Sequence, residues 1–374
     1  MTTPADPLSI RRSPEPRTPG NLLLIGSYTS RTGQNPPEGG GLHLTRYDDS
    51  GHLTHEQVLS ITSPSYSAFD APHGIVHSTV EQEAGQVVST GLDRRRGLHG
   101  PLTAASTGGS LPCHIAIHPR HTHVFATDYG SGTLAVFPTS TDGRITVTQP
   151  SQLFRHPGRS PREGLLEGPN AHMAAVSPDG RFVLCTDLGT DSLYTYRFDA
   201  TTGTLTLHLT IHLPVGRGPR HLVFHPSARY IYLLNELSSS ITICAFDPES
   251  GSVDPGLDLP VRHPHATGAN YPAAIRLSLD ARFVYTSNRG DDTIATHAIT
   301  ADGSRLQLLG TVPCGGTWPR DIALSPDGSL LFCANQRSDS VTVFHIDRGS
   351  GALKPAAAPF PITSPASVLP LPAE

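Results

Sequence analysis

The sequence predicts an all-β chain folded as a single seven-bladed propeller of four-stranded blades. Two observations carry that expectation: a repeat held in fixed register, and two chain ends that look like complementary fragments of one repeat. The repeat is clearest at Gly218-Pro219-Arg220-His221-Leu222-Val223-Phe224-His225-Pro226. With its second proline as reference, the equivalent positions are Pro119, Pro178, Pro226, Leu279 and Pro326. Nine residues on stand Asp128, Asp187, Asn235, Asn288 and Asn335, and five further on Thr133, Ser192, Ser240, Thr293 and Ser340. Five copies without a slip in either spacing mark a repeat protein, whose units need their neighbours to bury an apolar face.

From the N-terminus, the proline-rich stretch 1–20 has no apolar run and is expected to be a disordered tail, leaving 21–374 for the propeller. Leu22-Leu23-Leu24-Ile25-Gly26 and Gly41-Leu42-His43-Leu44-Thr45 read as the second and third strands of a blade that lacks a first. The segments 64–70 and 74–81 read as a degenerate blade, blade 1, without the Pro-Asp-Gly turn. Blades 2 to 6 are the five regular copies. In each, a short apolar run leads through a turn such as Ser177-Pro178-Asp179-Gly180 to a second run ending at the Asp or Asn. A polar turn and a third run follow, then a weaker fourth. The longer interval between Pro119 and Pro178 places a surface excursion around 155–167. Ser364-Pro365-Ala366-Ser367-Val368 reads as a first strand without a sequel, so the two ends are expected to pair in blade 7 and close the ring.

Composition bounds the function. The 374 residues are 37% hydrophobic and 16% charged, with 36 Gly and 35 Pro, as expected of a soluble chain of many short strands and turns. A net charge of -5 argues against nucleic acid as a partner, which needs a basic face. No run approaches the roughly 20 apolar residues of a membrane span. Five cysteines without paired or metal-type spacing, with Cys185, Cys244 and Cys333 inside expected strands, fit a reduced, cytoplasmic protein.

In a propeller, the entry to strand one and the turn between strands two and three open on the same face. The residue six before the reference is Cys113, His172, Arg220, Ala273 and Arg320; the residue ten after it is Tyr129, Leu188, Glu236, Arg289 and Gln336. Blade 1 adds Ser65 and Glu81. Turn residues look alike from copy to copy, whereas these slots differ, and they collect a base, an acid and guanidinium groups in one concave mouth. That is the expected form of a site for an anionic substrate; the competing reading is a ring of solvated rim charges. His114 and His221 sit one position past the first slot and should alternate away from it, unless strand twist brings them back to the channel. Arginines in the mouth would repel a cation, so no metal is expected there.

These segments resemble the seven-bladed propeller lactonases, a family that includes propeller-type 6-phosphogluconolactonases and carboxy-cis,cis-muconate cycloisomerases. The resemblance is carried by Leu111-Pro112-Cys113-His114 with Asp128-Tyr129-Gly130, Gly218-Pro219-Arg220-His221 with Asn235-Glu236-Leu237-Ser238, Ser287-Asn288-Arg289-Gly290, and Trp318-Pro319-Arg320 with Ala334-Asn335-Gln336. It implies that His172, Glu236, Arg220 and Arg289 are catalytic, the same four that slot geometry selects. Arg320, Gln336, His114, His221 and Glu81 are the expected substrate-binding groups. Two departures are Pro169-Asn170-Ala171-His172, where the family often has Pro-His-x-His, and Leu279 for the turn proline. The function expected is hydrolysis of a small anionic lactone, without a cofactor. His172, with a pKa near 6.5, would take a proton from water, the arginines would hold an anion or oxyanion, and Glu236 would orient or protonate. The alternatives are the reverse chemistry, closing a lactone from a carboxylate, and a non-catalytic scaffold. A scaffold should show an exposed aromatic patch, and 6% aromatics with one Trp point to none.

Overall fold

The computed structural model describes residues 11–12, 21–29, 40–158 and 168–372. The expected tail lies outside them apart from the two-residue strand Arg11–Arg12, which pairs with Leu53–Leu59. Most of the expected excursion, 159–167, also lies outside them.

Seven antiparallel sheets form the chain. Their first strands are Ser67–Asp70, Pro112–Ile117, Ala171–Val176, Pro219–Phe224, Tyr271–Leu277, Pro319–Leu324 and Pro365–Pro370. Each touches the first strands on either side, the last meeting the first, so they ring a central axis. The closure is as expected: Asn21–Ser27 pairs with Pro365–Pro370, Ile25 opposite Val368. The fourth strand of blade 6 is split into Leu353–Pro355 and Phe360–Pro361. Among the described residues, no helix is long and apolar enough to cross a membrane.

The second and third strands are largely apolar runs because the middle of each blade is buried on both faces, whereas fourth strands such as Thr204–His212 are largely exposed. In Asn21–Ser27, Leu22 and Leu24 enter the cluster shared with blade 1, while Leu23 and Ile25 enter the cluster shared with blade 6. One such cluster fills each of the seven interfaces. The turns are built by Ser-x-Asp: Ser177 Oγ donates to Asp179 Oδ1 at 2.6 Å and accepts from Phe182 N at 3.0 Å. Ser278 and Asp280 do the same in blade 5, so Leu279 replaces the proline without loss of the turn.

A second device ties blades 3, 5 and 6 to the blade that follows. Asp191, which precedes the third strand of blade 3, accepts from Gly216 N at 2.7 Å and Gly218 N at 2.5 Å at the entry to blade 4. Asp292 receives Trp318 N at 2.8 Å, and Asp339 receives Ser364 N at 2.8 Å. Gly218 has φ +61, and a Cβ there would stand 2.4 Å from Leu237 Cγ, so only glycine fits this approach to the mouth.

Candidate active site

The first-slot residues owe their orientation to a β-bulge. Pro219 pairs with Asn235 and His221 with Leu234, which leaves Arg220 as the extra residue. The same skip falls at His172 in blade 3, Arg320 in blade 6 and Cys113 in blade 2. A bulge sets two residues against one and re-aims side chains, so the residue after the slot is not turned away. This corrects the alternation expected for His114 and His221. Both rings stand on the axis, 5.6 Å apart, with His221 also 5.3 Å from His172. His114 Nδ1 and His221 Nδ1 are buried without a hydrogen-bond partner.

Three arginines and two glutamates converge in the mouth. Glu236 Oε2 lies 3.0 Å from Arg220 Nε and 2.6 Å from Arg289 Nη2, which joins blades 4 and 5. Each guanidinium has a second tether: Arg220 Nη1 donates to the Ala273 carbonyl, and Arg289 Nε to Tyr271 O at 2.9 Å. Arg289 also lies over the Trp318 ring, 5.4 Å from its centroid. Across the mouth, Glu81 accepts from the Tyr28 hydroxyl at 2.9 Å and faces Arg320 Nη2 at 3.9 Å. Gln336 is held at the rim by its N–H to Trp318 O at 3.0 Å, with Oε1 buried and unpartnered. Three guanidinium groups against two carboxylates leave one positive charge in excess. The rim reading is corrected as well, because Arg220 and Arg289 are only 3% and 5% exposed.

Burial resets the titration of the site. His172 is held well below the usual 6.5 by burial first, then by Arg220, Arg320 and Arg289. His221 is lowered in the same way, and His114 falls to about 3. The expected pKa near 6.5 for His172 is thus overturned: it is a neutral imidazole of weakened basicity. Burial pushes the Cys113 thiol up to about 12, which excludes a thiolate nucleophile. Burial and Arg289 lower Arg220 to about 9, and it keeps its charge at neutral pH.

Several lining residues escape the sequence reading. Ser27 pairs with Pro365 and Gly26 with Ser367, so Ala366 and Tyr28 are the two slots of blade 7. Extending the register across the seam would have found them. Asp321 follows Arg320 as His221 follows Arg220, and it pairs with Arg276 Nη2 at 2.9 Å; Arg276 also reaches the Tyr66 hydroxyl at 3.4 Å. A small cavity of about 10 Å³, room for one water, is lined near the axis by Tyr66, Cys113, Arg220, His221, Arg320 and Asp321, among others. A hollow of about 470 Å³ opens between blades 4 and 5, lined by residues that include Leu237, Arg262, Asn270 and Tyr271.

The sequence model of a family described as "Lactonase, 7-bladed beta-propeller" matches residues 22–370. A Bacillus subtilis protein named 6-phosphogluconolactonase is 29% identical over 333 residues, 88% of this chain and 92% of its own length. Among solved structures, a Lactobacillus plantarum protein is similar with a TM-score of 0.85 at 29% identity, covering 94% of this chain and 99% of its own. A Pseudomonas aeruginosa periplasmic gluconolactonase is similar with a TM-score of 0.85 at 26% identity, covering 94% and 99%.

Proposed function

The chain belongs to the seven-bladed β-propeller lactonase family, and from that premise we propose that it hydrolyses a small anionic sugar-acid lactone of the 6-phosphogluconolactone kind. The observation that carries this reading is the excess of guanidinium over carboxylate in the mouth, with Arg220 and Arg289 sharing one oxygen of Glu236. A bound anion competes with Glu236 for those two forks, because planar guanidinium pairs bidentately with carboxylate or phosphate. The hollow between blades 4 and 5 takes the remainder of the ligand. The name of the Bacillus subtilis relative favours a phosphorylated substrate.

In this mechanism a water attacks the lactone carbonyl from the part of the channel that the His172 and His221 rings share, 5.3 Å apart. His172 accepts its proton, and a guanidinium freed from Glu236 faces the developing oxyanion, where preorganised charge counts most. The arginines that weaken His172 as a base in the free enzyme are neutralised by the bound anion. Substrate therefore returns the part of the imidazole's basicity that the arginines remove, while the larger effect of burial stays. The imidazolium of His172 then returns the proton it took from water to the leaving alkoxide, while Glu236 stays ionised and orients the guanidinium it keeps.

Three compounds offered in parallel test the reading: 6-phosphogluconolactone, unphosphorylated gluconolactone and carboxymuconate. Ring opening fastest on the phosphorylated lactone is expected. Equal rates on both lactones would remove the anion-binding role of the arginines. Conversion of carboxymuconate alone would replace hydrolysis by lactone formation, and silence on all three would leave a binding scaffold.

A further inference from the structure

On the face opposite the mouth, the first turns of blades 1 and 2 bring together Asp70, His73 and His121. Asp70 ends the strand Ser67–Asp70 and is fully buried. His73 Nδ1 lies 2.9 Å from its Oδ2, and His121 Nδ1 lies 2.9 Å from its Oδ1. These three ligand-type atoms are all within 4.8 Å of one another. We propose that Asp70, His73 and His121 form a binding site for a divalent late first-row transition ion, zinc foremost, which ties blade 1 to blade 2.

Three observations support the assignment. Asp70 Oδ1 and His121 Nδ1 are buried and 2.9 Å apart as an ion pair without the alignment of a hydrogen bond, so both atoms can turn to a metal. Among the described residues the only ion-pair partners of Asp70 are the two imidazoles. A buried carboxylate without a fixed cation is costly, and a divalent ion supplies the missing charge. The cradle is also tightly roofed by backbone: a Cβ on Gly143 would stand 2.7 Å from His73 Cβ and 3.0 Å from Asp70 Oδ2. Two imidazole nitrogens and a carboxylate oxygen suit zinc rather than magnesium or calcium, which prefer all-oxygen shells. The imidazole side chains are 24% and 33% exposed, so an ion can enter and keep water as its fourth ligand. The site is remote from the arginines whose charge excludes a cation from the mouth.

The intact protein, freed of metal with chelator, is titrated with Zn²⁺ by calorimetry, beside His73→Gln and His121→Gln. One equivalent bound is expected, with affinity reduced at least about ten-fold in either variant, since even outer-shell losses cost 10- to 100-fold. Zn²⁺ should raise the Tm of the parent protein and not of the variants. Co²⁺ added to the parent should give the visible absorption of a four-coordinate site, a readout that does not depend on a variant folding. Undiminished binding in both variants, or no saturable binding by the parent, overturns the proposal.

Discussion

A guanidinium holds two partners at once because its donors are fixed in one plane, and Arg220 and Arg289 both use that property. Arg220 spans Glu236 and the Ala273 carbonyl, while Arg289 spans Glu236 and Tyr271 O. The single ammonium of lysine cannot span either pair. Arg220→Lys and Arg289→Lys should each lower kcat/KM by about 2 to 4 kcal/mol, roughly 30- to 1,000-fold, the loss typical of one side of a buried charge pair. Steady-state kinetics on the lactone that is turned over, with circular dichroism to confirm folding, checks this; full activity in both would remove the arginines from the site. His172 allows a finer test. In the free enzyme its basicity is depressed by burial and three arginines; in the complex the substrate anion offsets the arginines. The acid limb of kcat/KM should therefore lie well below pH 6.5, and that of kcat at higher pH. His172→Ala should lower turnover by about 10²- to 10⁴-fold and abolish the limb in kcat. Limbs that coincide in the parent protein would show that the anion does not tune the imidazole.

At the scale of the strand, the site rests on the bulges that carry Cys113, His172, Arg220 and Arg320 and on the aspartates before the third strands of blades 3, 5 and 6. Asp191 takes two buried N–H groups at the entry to blade 4, two residues ahead of Arg220. Asp191→Ala removes the acceptor of the buried Gly218 N–H, which costs about 1 to 3 kcal/mol, and loosens the segment that aims Arg220. Chemical denaturation should show the lost stability, and kcat/KM should fall although Asp191 touches nothing in the mouth. Unchanged kinetics with lowered stability would confine Asp191 to a structural role. Much of this scale is readable in the chain. The slots that hold His172, Arg220, Glu236, Arg289 and Arg320 fall out of the repeat register alone, and so does the blade order that sets Glu236 between two arginines. The bulge does not, because it is a mismatch between strands and leaves no composition of its own; without it His114 and His221 alternate away. Asp191, Asp292 and Asp339 recur one residue before Ser192, Thr293 and Ser340, so that signal was present, but its partner lies in the next blade and no spacing within one repeat reveals it.

The ring as a whole depends on closure and on keeping buried histidines uncharged. Closure rests on Pro365–Pro370 pairing with Asn21–Ser27, and the complementary ends made it legible from sequence. Deleting 364–374 should expose that edge and lower Tm sharply, as differential scanning calorimetry would show; an unchanged Tm would mean that the ring does not need its seam. The histidines set a second limit that sequence hides, since burial fixes it. His77, His114, His172 and His221 are all at most 5% exposed. Burial lowers His77 to about 4 and His114 to about 3, and holds the other two well below 6.5. Between 6.5 and the folded values the unfolded chain binds more protons, so their contribution to stability is complete above pH 6.5 and is lost as pH falls. By pH 5 His77 and His114 each remove about 2 kcal/mol, at about 1.4 kcal/mol per unit of pH, and His172 and His221 act in the same direction. Asp128 works the other way. Burial raises it to about 6, so it takes up its proton earlier in the folded state and returns only about 1.4 kcal/mol over the same interval. Four histidines outweigh it. Tm measured from pH 8 to pH 5 should hold level to about 6.5 and then fall steeply, and His77→Gln should flatten the fall because one of the four protons no longer binds. A Tm that stays level down to pH 5 would mean that these imidazoles accept protons within the fold, and the neutral state assigned to His172 in the free enzyme would fail with them.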